Sequence, residues 1–204
     1  NMTSGTANLL YGIWGSSSSD VFAVGYGGTI LHYLDQHITS VSPNQGNQGQ
    51  TLSVSITGAC FTGATEVSFG SGITVNFTVN SDTQIAASIT NSGSATVGAR
   101  DVSVTTPGGT CSLIGGFMVW APPTLTSVSP NQGVQGQTLN VTIAGTYFTG
   151  TTSVKFGSGI AVNSFTVDND SQITASISIS TSTTPRARDV SVTTPGGTAT
   201  KAGG

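Results

Sequence analysis

The sequence predicts an all-β chain, two antiparallel β-sandwiches in tandem behind a short N-terminal strand segment, and three observations predict it. The first is an internal repeat. Thr39-Ser-Val-Ser-Pro-Asn-Gln-Gly46 returns as Thr126-Ser-Val-Ser-Pro-Asn-Gln-Gly133, and Val67-Ser-Phe-Gly-Ser-Gly72 returns as Val154-Lys-Phe-Gly-Ser-Gly159. Arg100-Asp-Val-Ser-Val-Thr-Thr-Pro-Gly-Gly-Thr110 returns as residues 188–198. The offset is 87 positions up to Asn76 and 88 beyond it, because Ser164 is one inserted residue. The second observation is the alternation of apolar with hydroxyl residues, which puts one face of a strand in a core and the other in water. The third is a Gly, Pro or Asn turn signal every few residues, with no helical period between them. A period of this length is one folded unit, so the domains are read as residues 38–121 and 122–204, with residues 1–37 as a separate β segment.

Composition narrows the function classes. Only 6% of residues are charged while Ser and Thr number 61, so solubility rests on hydroxyls and turns, which suits a secreted β-protein. Five Lys and Arg against eight Asp and Glu leave a net charge of −3. Nothing neutralises phosphates, which argues against a nucleic-acid partner. No apolar stretch approaches the roughly 20 residues that span a bilayer, so membrane insertion is not expected. No basic start with an apolar core marks a signal peptide, and Asn1 in place of Met fits a processed or trimmed chain.

In the N-terminal segment, Leu9–Trp14, Val21–Val24 and Thr29–Tyr33 read as three strands joined by tight turns. The string Ile13-Trp-Gly-Ser-Ser-Ser-Ser-Asp-Val-Phe-Ala-Val-Gly25, followed by Gly28-Thr-Ile-Leu-His-Tyr33, resembles one blade of a bacterial β-propeller repeat. One blade cannot close a propeller, so these strands belong to a longer array or pair with something else.

Each repeat opens with a short strand ending at Pro43 or Pro130. Thr51–Ile56 and Thr138–Ile143 follow, ended by Gly58 and Gly145, with Phe61 and Phe148 as core plugs. Val67 and Phe69, then Val75, Phe77 and Val79, then Gln84–Ile89 and Asp101–Thr105 give four more strands, and Pro107-Gly-Gly-Thr110 turns into a last one ending at Phe117-Met-Val-Trp120. About seven short strands per repeat suit an immunoglobulin-like sandwich. The opening Ile-x-Ser-Val-Ser-Pro-x-x-Gly, the Ile-x-Gly-x-x-Phe turn, the Val-x-Phe-Gly strand and the Val-x-Thr-Pro-Gly-Gly hairpin together resemble the IPT/TIG immunoglobulin-like domain in both copies. That resemblance implies the kind of module found in plexins, some transcription factors, bacterial surface proteins and glycan-degrading enzymes.

Cys60 and Cys111 both lie in the first repeat, where the second has Tyr147 and Ala199, so the pair came or went together. A disulfide is the simplest reading and would imply an oxidising, extracytoplasmic compartment; two buried thiols is the other. Candidate catalytic groups are sparse. His32 and His37 sit at the N-terminal join and Glu66 is the sole glutamate, so no nucleophile–base pair or carboxylate pair is assembled and no enzyme activity, cofactor or metal is expected. Asp168-Asn-Asp170 has the look of a calcium-loop fragment, but Asp82 and Asp170 read better as turn residues. Arg100-Asp101 and Arg188-Asp189 read as charge pairs at a strand start or as a contact between domains. Asn1, Asn76, Asn140 and Asn169 fit the glycosylation pattern about as often as chance allows. Trp14, Trp120, Tyr11, Tyr26 and Tyr33 read as packing residues or as a sugar-stacking platform.

Gly203-Gly204 align with Gly115-Gly116, so residues 122–204 contain no counterpart of Phe117-Met-Val119. A spare set of strands at one end and an unfilled position at the other predict a head-to-tail contact by strand addition. Leu9, Leu10, Tyr11, Ile13 and Trp14, or Val21, Phe22 and Val24, are the candidate contact strands. The function expected is a non-enzymatic extracellular structural protein, a surface or filament subunit whose partners are copies of itself or cell-surface proteins. The alternative is a glycan-binding or spacer module of a larger secreted enzyme or adhesin.

Overall fold

The computed structural model describes residues 7–17 and 20–204, and the side chains of these other than 16, 17, 20 and 32–34. Among the described residues, apart from one 3-10 turn at Tyr26–Gly28, the regular structure is all strand, in several antiparallel sheets of immunoglobulin-like type. The chain divides into two compact units, one of Asn1–Asn44, Thr51–Thr90 and Ala99–Met118, the other of Gln45–Gln50, Asn91–Gly98 and Val119–Gly204.

The N-terminal segment forms the expected three strands, β1 (Leu10–Ser17), β2 (Asp20–Gly25) and β3 (Ile30–Leu34), as a meander in the order β1-β2-β3. Gly27 and Gly28 turn the chain between β2 and β3 at φ 69° and 77°, which only glycine adopts without strain. In the first repeat the strands are β4 (His37–Ser42), β5 (Gln45–Asn47), β6 (Thr51–Ala59), β7 (Glu66–Ser68), β8 (Ile73–Ser81), β9 (Gln84–Asn91), β10 (Gly98–Thr106) and β11 (Gly109–Trp120). They form two sheets, β4-β6-β9-β8 and β5-β11-β10-β7. The alternation seen in the sequence is realised in β9, where Ile85, Ala87 and Ile89 point inward between exposed neighbours. Val54, Ile56, Phe61, Phe69, Val102, Val104 and Phe117 are also buried, and Phe69 meets Phe117 edge to face at a centroid distance of 5.3 Å.

The second repeat builds the same four-stranded sheet from β12 (Thr124–Ser129), β13 (Thr138–Thr146), β15 (Ile160–Asn169) and β16 (Gln172–Ile179), in the order β12-β13-β16-β15. Its facing sheet has three strands, β14 (Ser153–Lys155), β17 (Val190–Thr194) and β18 (Gly197–Lys201), in that order. Val141, Ile143, Phe148, Phe156, Ile173, Ile177, Val190 and Val192 form one core. The inserted Ser164 is absorbed where the β15–β16 register slips between Val162 and Ser164, so Phe165 and Val167 return to the inward face.

Two details depart from expectation. Gly58 and Gly145 do not end their strands; they lie inside β6 and β13. A Cβ on Gly58 would collide with the His37 carbonyl oxygen and the Phe61 ring, and one on Gly145 with the Thr124 carbonyl oxygen and the Phe148 ring. Glycine is there to let the plug phenylalanine lie against the strand. The second departure is β5, a strand the sequence did not announce because Gln45-Gly-Asn47 carries no apolar residue and poor β-propensity.

Candidate functional site

Cys60 and Cys111 are not joined, which corrects the disulfide reading. Cys60 lies in the turn after β6 at φ 61°, while Cys111 is the third residue of β11 on the facing sheet. Burial pushes the Cys111 thiol up, against hydrogen bonds with the Val104 backbone, its own backbone and the Gln36 side chain, which lower it. Gln36 anchors the strand segment to the sandwich by donating from Nε2 to Val104 O (3.2 Å) while its Oε1 accepts from Thr106 Oγ1 (3.1 Å). Thiol titration in denaturant without reductant should therefore count two, and reductant should leave the melting temperature unchanged. A reductant-sensitive Tm would restore the disulfide.

The acidic residues serve turns. Asp170 Oδ1 accepts from Thr149 N–H (3.1 Å) and Oγ1–H (2.7 Å), its Oδ2 accepts from Tyr147 N–H (3.3 Å), and its carbonyl accepts from Phe148 N–H (3.0 Å). Asp82 repeats this on Thr62 and Phe61. Together they hold the loop of the plug phenylalanine, including Cys60 and Tyr147, which occupy the left-handed region at φ 61° and 59°. Asp168 Oδ2 accepts from Gln172 and Thr174, and Asn169 Oδ1 accepts from Ser171, so the three side chains turn to separate donors. Among the described residues no cluster of His, Cys, Asp and Glu could hold a metal. Asp170→Ala should cost about 0.5–1.5 kcal/mol by removing these exposed hydrogen bonds, read as a lower denaturant midpoint with unchanged slope.

In both repeats the Arg and the Asp of this pair hydrogen-bond to backbone or side-chain groups of nearby turns. Asp101 Oδ1 accepts from Gly115 N–H (2.8 Å) and Asp189 Oδ1 from Gly203 N–H (3.1 Å), at glycines with φ 63° and 60°. Arg100 donates to the Ser71 carbonyl (2.8 Å), and Arg188 to Ser158 Oγ (3.0 Å) and the Thr184 carbonyl (2.9 Å). Each ion secures a turn. His37 Nδ1 lies 2.9 Å from the Asp35 carbonyl, and Glu66 is exposed on β7; no hydrogen bond or ion pair joins these two residues. Asn1 and the side chains of His32 and Tyr33 lie outside the described residues, while Asn76, Asn140 and Asn169 are exposed.

What the geometry does gather is a groove of about 670 Å³ in the second unit, lined by Gln132, Val134, Phe156, Ile160, Ile179 and Arg188 among others. A narrower continuation of about 50 Å³ reaches Val128, Leu139, Val141 and Ile177. Phe117 and Val119, fully buried on β11, mark the corresponding place in the first repeat. Met118 N–H there donates to the Asn44 carbonyl (2.8 Å), and the Trp120 carbonyl accepts from Gln48 N–H (2.8 Å). In the second repeat, residues 131–134 form no strand and Val134 is 69% exposed. β17 is four residues shorter than β10, five against nine. The Arg188 Nε on the groove wall is buried without a partner.

The candidate contact strands carry the complementary feature. Leu9, Leu10, Tyr11, Ile13 and Trp14 are 43–72% exposed, Val24 is exposed, and Val21 and Phe22 are half-buried. Trp14 stacks on Phe22 at 5.8 Å yet stays largely open, so packing accounts for only one of its faces. Trp120 is half-buried, with Nε1–H donating to Gln45 Oε1 (3.2 Å). β1 is an edge strand.

These features define an all-β, immunoglobulin-like fold. Residues 123–203 match the IPT/TIG domain family. No curated protein matches the chain. Among solved structures, it resembles SGBP-B from a complex xyloglucan utilization locus in Bacteroides uniformis, with 19% identity, a TM-score of 0.33, and coverage of 82% of this chain and 48% of that one. It also resembles an I-band fragment of titin, with 12% identity, a TM-score of 0.40, and coverage of 89% and 70%. A third is SGBP-B of the Bacteroides ovatus mixed-linkage glucan utilization locus in complex with a heptasaccharide, with 15% identity, a TM-score of 0.32, and coverage of 96% and 52%. The chain spans about half the length of the two SGBP-B structures. No helix among the described residues is long and apolar enough to cross a membrane.

Proposed function

We propose that the chain is a non-enzymatic extracellular structural protein, two IPT/TIG modules and an N-terminal β segment, whose copies join head to tail by β-strand addition. The observation that carries this reading is the exposed apolar edge strand β1, on which Leu10, Tyr11, Ile13 and Trp14 are 43–70% exposed. An edge of this kind pairs with extended backbone of a second chain, which satisfies its unpaired groups and covers its side chains in one step. Donor and acceptor are different surfaces, so the contact repeats and builds a filament unless its rotation closes a ring. The extracellular placement rests on the hydroxyl-rich, weakly charged surface; the cysteines, being thiols, lend it nothing.

A second reading has its own observation. Tyr11 and Trp14 on β1 and Tyr26 in the turn after β2 are each about two-thirds exposed, and flat apolar rings of this kind stack on pyranose faces. A glycan-binding or spacer role for the same sheet would show as retention on insoluble polysaccharide by a monomeric chain. Electron microscopy of the concentrated full chain separates the two readings: ordered fibres or closed rings support strand addition, and single particles at every concentration refute it.

A further inference from the structure

We infer that Cys111 and Gln36 close into an internal thioester, which makes the first repeat an acylating site for a primary amine on a second molecule. This goes beyond strand addition and does not rest on it. The two residues are already in contact: the Gln36 side chain hydrogen-bonds to the Cys111 thiol, and both residues are half-buried. The rest of the carboxamide is held as well. Its Nε2 donates to the Val104 carbonyl (3.2 Å), and its Oε1 accepts from Thr106 Oγ1–H (3.1 Å). Thr106 is buried, and its Oγ1 is fixed in turn by accepting from Gly108 N–H (3.2 Å).

The second repeat builds the same frame without the reactive pair. Val192 pairs with Ala199 across the β17–β18 ladder, and Val104 and Cys111 hold those positions in the first repeat. Thr194, the counterpart of Thr106, accepts from Gly196 N–H (3.2 Å) as Thr106 does from Gly108. Where the first repeat has Gln36 and Cys111, however, the second has Pro123 and Ala199. The sandwich therefore folds without thiol or carboxamide here, and the repeat that has one has both, in contact.

The chemistry follows from the contacts. Cys111 Sγ adds to Gln36 Cδ, and the Thr106 hydroxyl stabilises the negative charge that gathers on Oε1. Burial holds Cys111 as a thiol, so its proton passes to the departing Nε2 beside it. The Cδ–Nε2 bond breaks, ammonia leaves and the Sγ–Cδ bond remains; nothing is oxidised or reduced. Groups fixed in this way react as at effective molarities of about 10⁵–10⁸ M, and escape of ammonia into solvent draws closure forward. The thiolate is a far better leaving group than an amide nitrogen, so the closed pair is an acyl donor. A primary amine adds to Cδ, the Cδ–Sγ bond breaks, sulfur takes a proton from the amine, and Gln36 becomes an amide of the incoming molecule. Each chain reacts once, so the outcome is covalent attachment without turnover.

The structure describes the open pair, which titrates as two thiols together with Cys60. The full chain is unfolded in denaturant with ammonia, which returns any thioester to the carboxamide, then refolded and incubated without ammonia, a phosphine being present to prevent oxidation. On incubation the thiol count is expected to fall from two to one, and the intact mass to fall by one ammonia. Chain kept in denaturant is expected to hold both thiols, because only the fold brings the pair together. Methylamine added to the closed chain is expected to restore the second thiol and to leave a methylamide at Gln36, located by peptide mass spectrometry. Gln36→Glu is expected to keep both thiols, and Cys111→Ala, the residue the second repeat carries, to keep the Cys60 thiol and its full mass; circular dichroism checks that both fold. A refolded chain that keeps two thiols and its full mass overturns the inference. So does loss of a thiol without loss of ammonia, an equal loss in Gln36→Glu, or a closed chain that takes no methylamine at Gln36.

Discussion

A chain lacking residues 1–34 is expected to remain folded and to lose assembly. Fully burying a large apolar side chain is worth about 1.5–3 kcal/mol, so seating two of them is worth about 3–6 kcal/mol, or roughly a hundredfold to ten-thousandfold in the assembly concentration. Folding survives because the deletion stops short of Gln36, whose amide ties the segment to Val104 and Thr106, and of β4, which completes the first sheet. The measurement is light scattering across concentration, with the melting temperature as the control for folding. Retained assembly would place the donor elsewhere, and a collapsed melting temperature would mean that the N-terminal sheet is part of the first core.

The second large effect is on stability. Phe148→Ala is expected to destabilise the second repeat by about 3–5 kcal/mol, because the ring is fully buried and braced by Gly145, leaving neighbours that relax only in part. Against a typical domain stability of about 5–15 kcal/mol, this takes much of the margin. Gly145→Ala should also weaken the same repeat for the opposite reason, since its new methyl meets the Thr124 carbonyl and the Phe148 ring. Thermal melts followed by circular dichroism check both variants. A loss under 1 kcal/mol for Phe148→Ala would show that the ring is not the plug.

The sandwich and the core were legible because the repeat states each of them twice. Val54 and Ile56 alternate with hydroxyls as Val141 and Ile143 do, and all four are buried. The repeat also holds near its end, since Gly115 and Gly203 share a backbone conformation and each donates to the aspartate of its own repeat. Gly58 and Gly145 misled because a glycine that admits a ring from elsewhere in the fold looks, in sequence, like one that ends a strand. Cys60 and Cys111 misled because their joint absence from the second repeat reports correlation, whereas bonding depends on where two sheets place them. The roles of Asp82 and Asp170 were half visible. Their turn was expected, but their hold on the distant loop at Thr62 and Thr149 depends on tertiary approach. Gln36 carried no signal, because its importance lies in hydrogen bonds with Val104 and Thr106 that no periodicity records.

Hydrogen–deuterium exchange of the full chain, compared below and above its assembly concentration, tests β1 as the assembling strand most directly. Strand addition predicts that amides of β1 become slow to exchange on assembly, while the core strands β6 and β13 are slow throughout. Unchanged exchange along β1 in assembled material would contradict it.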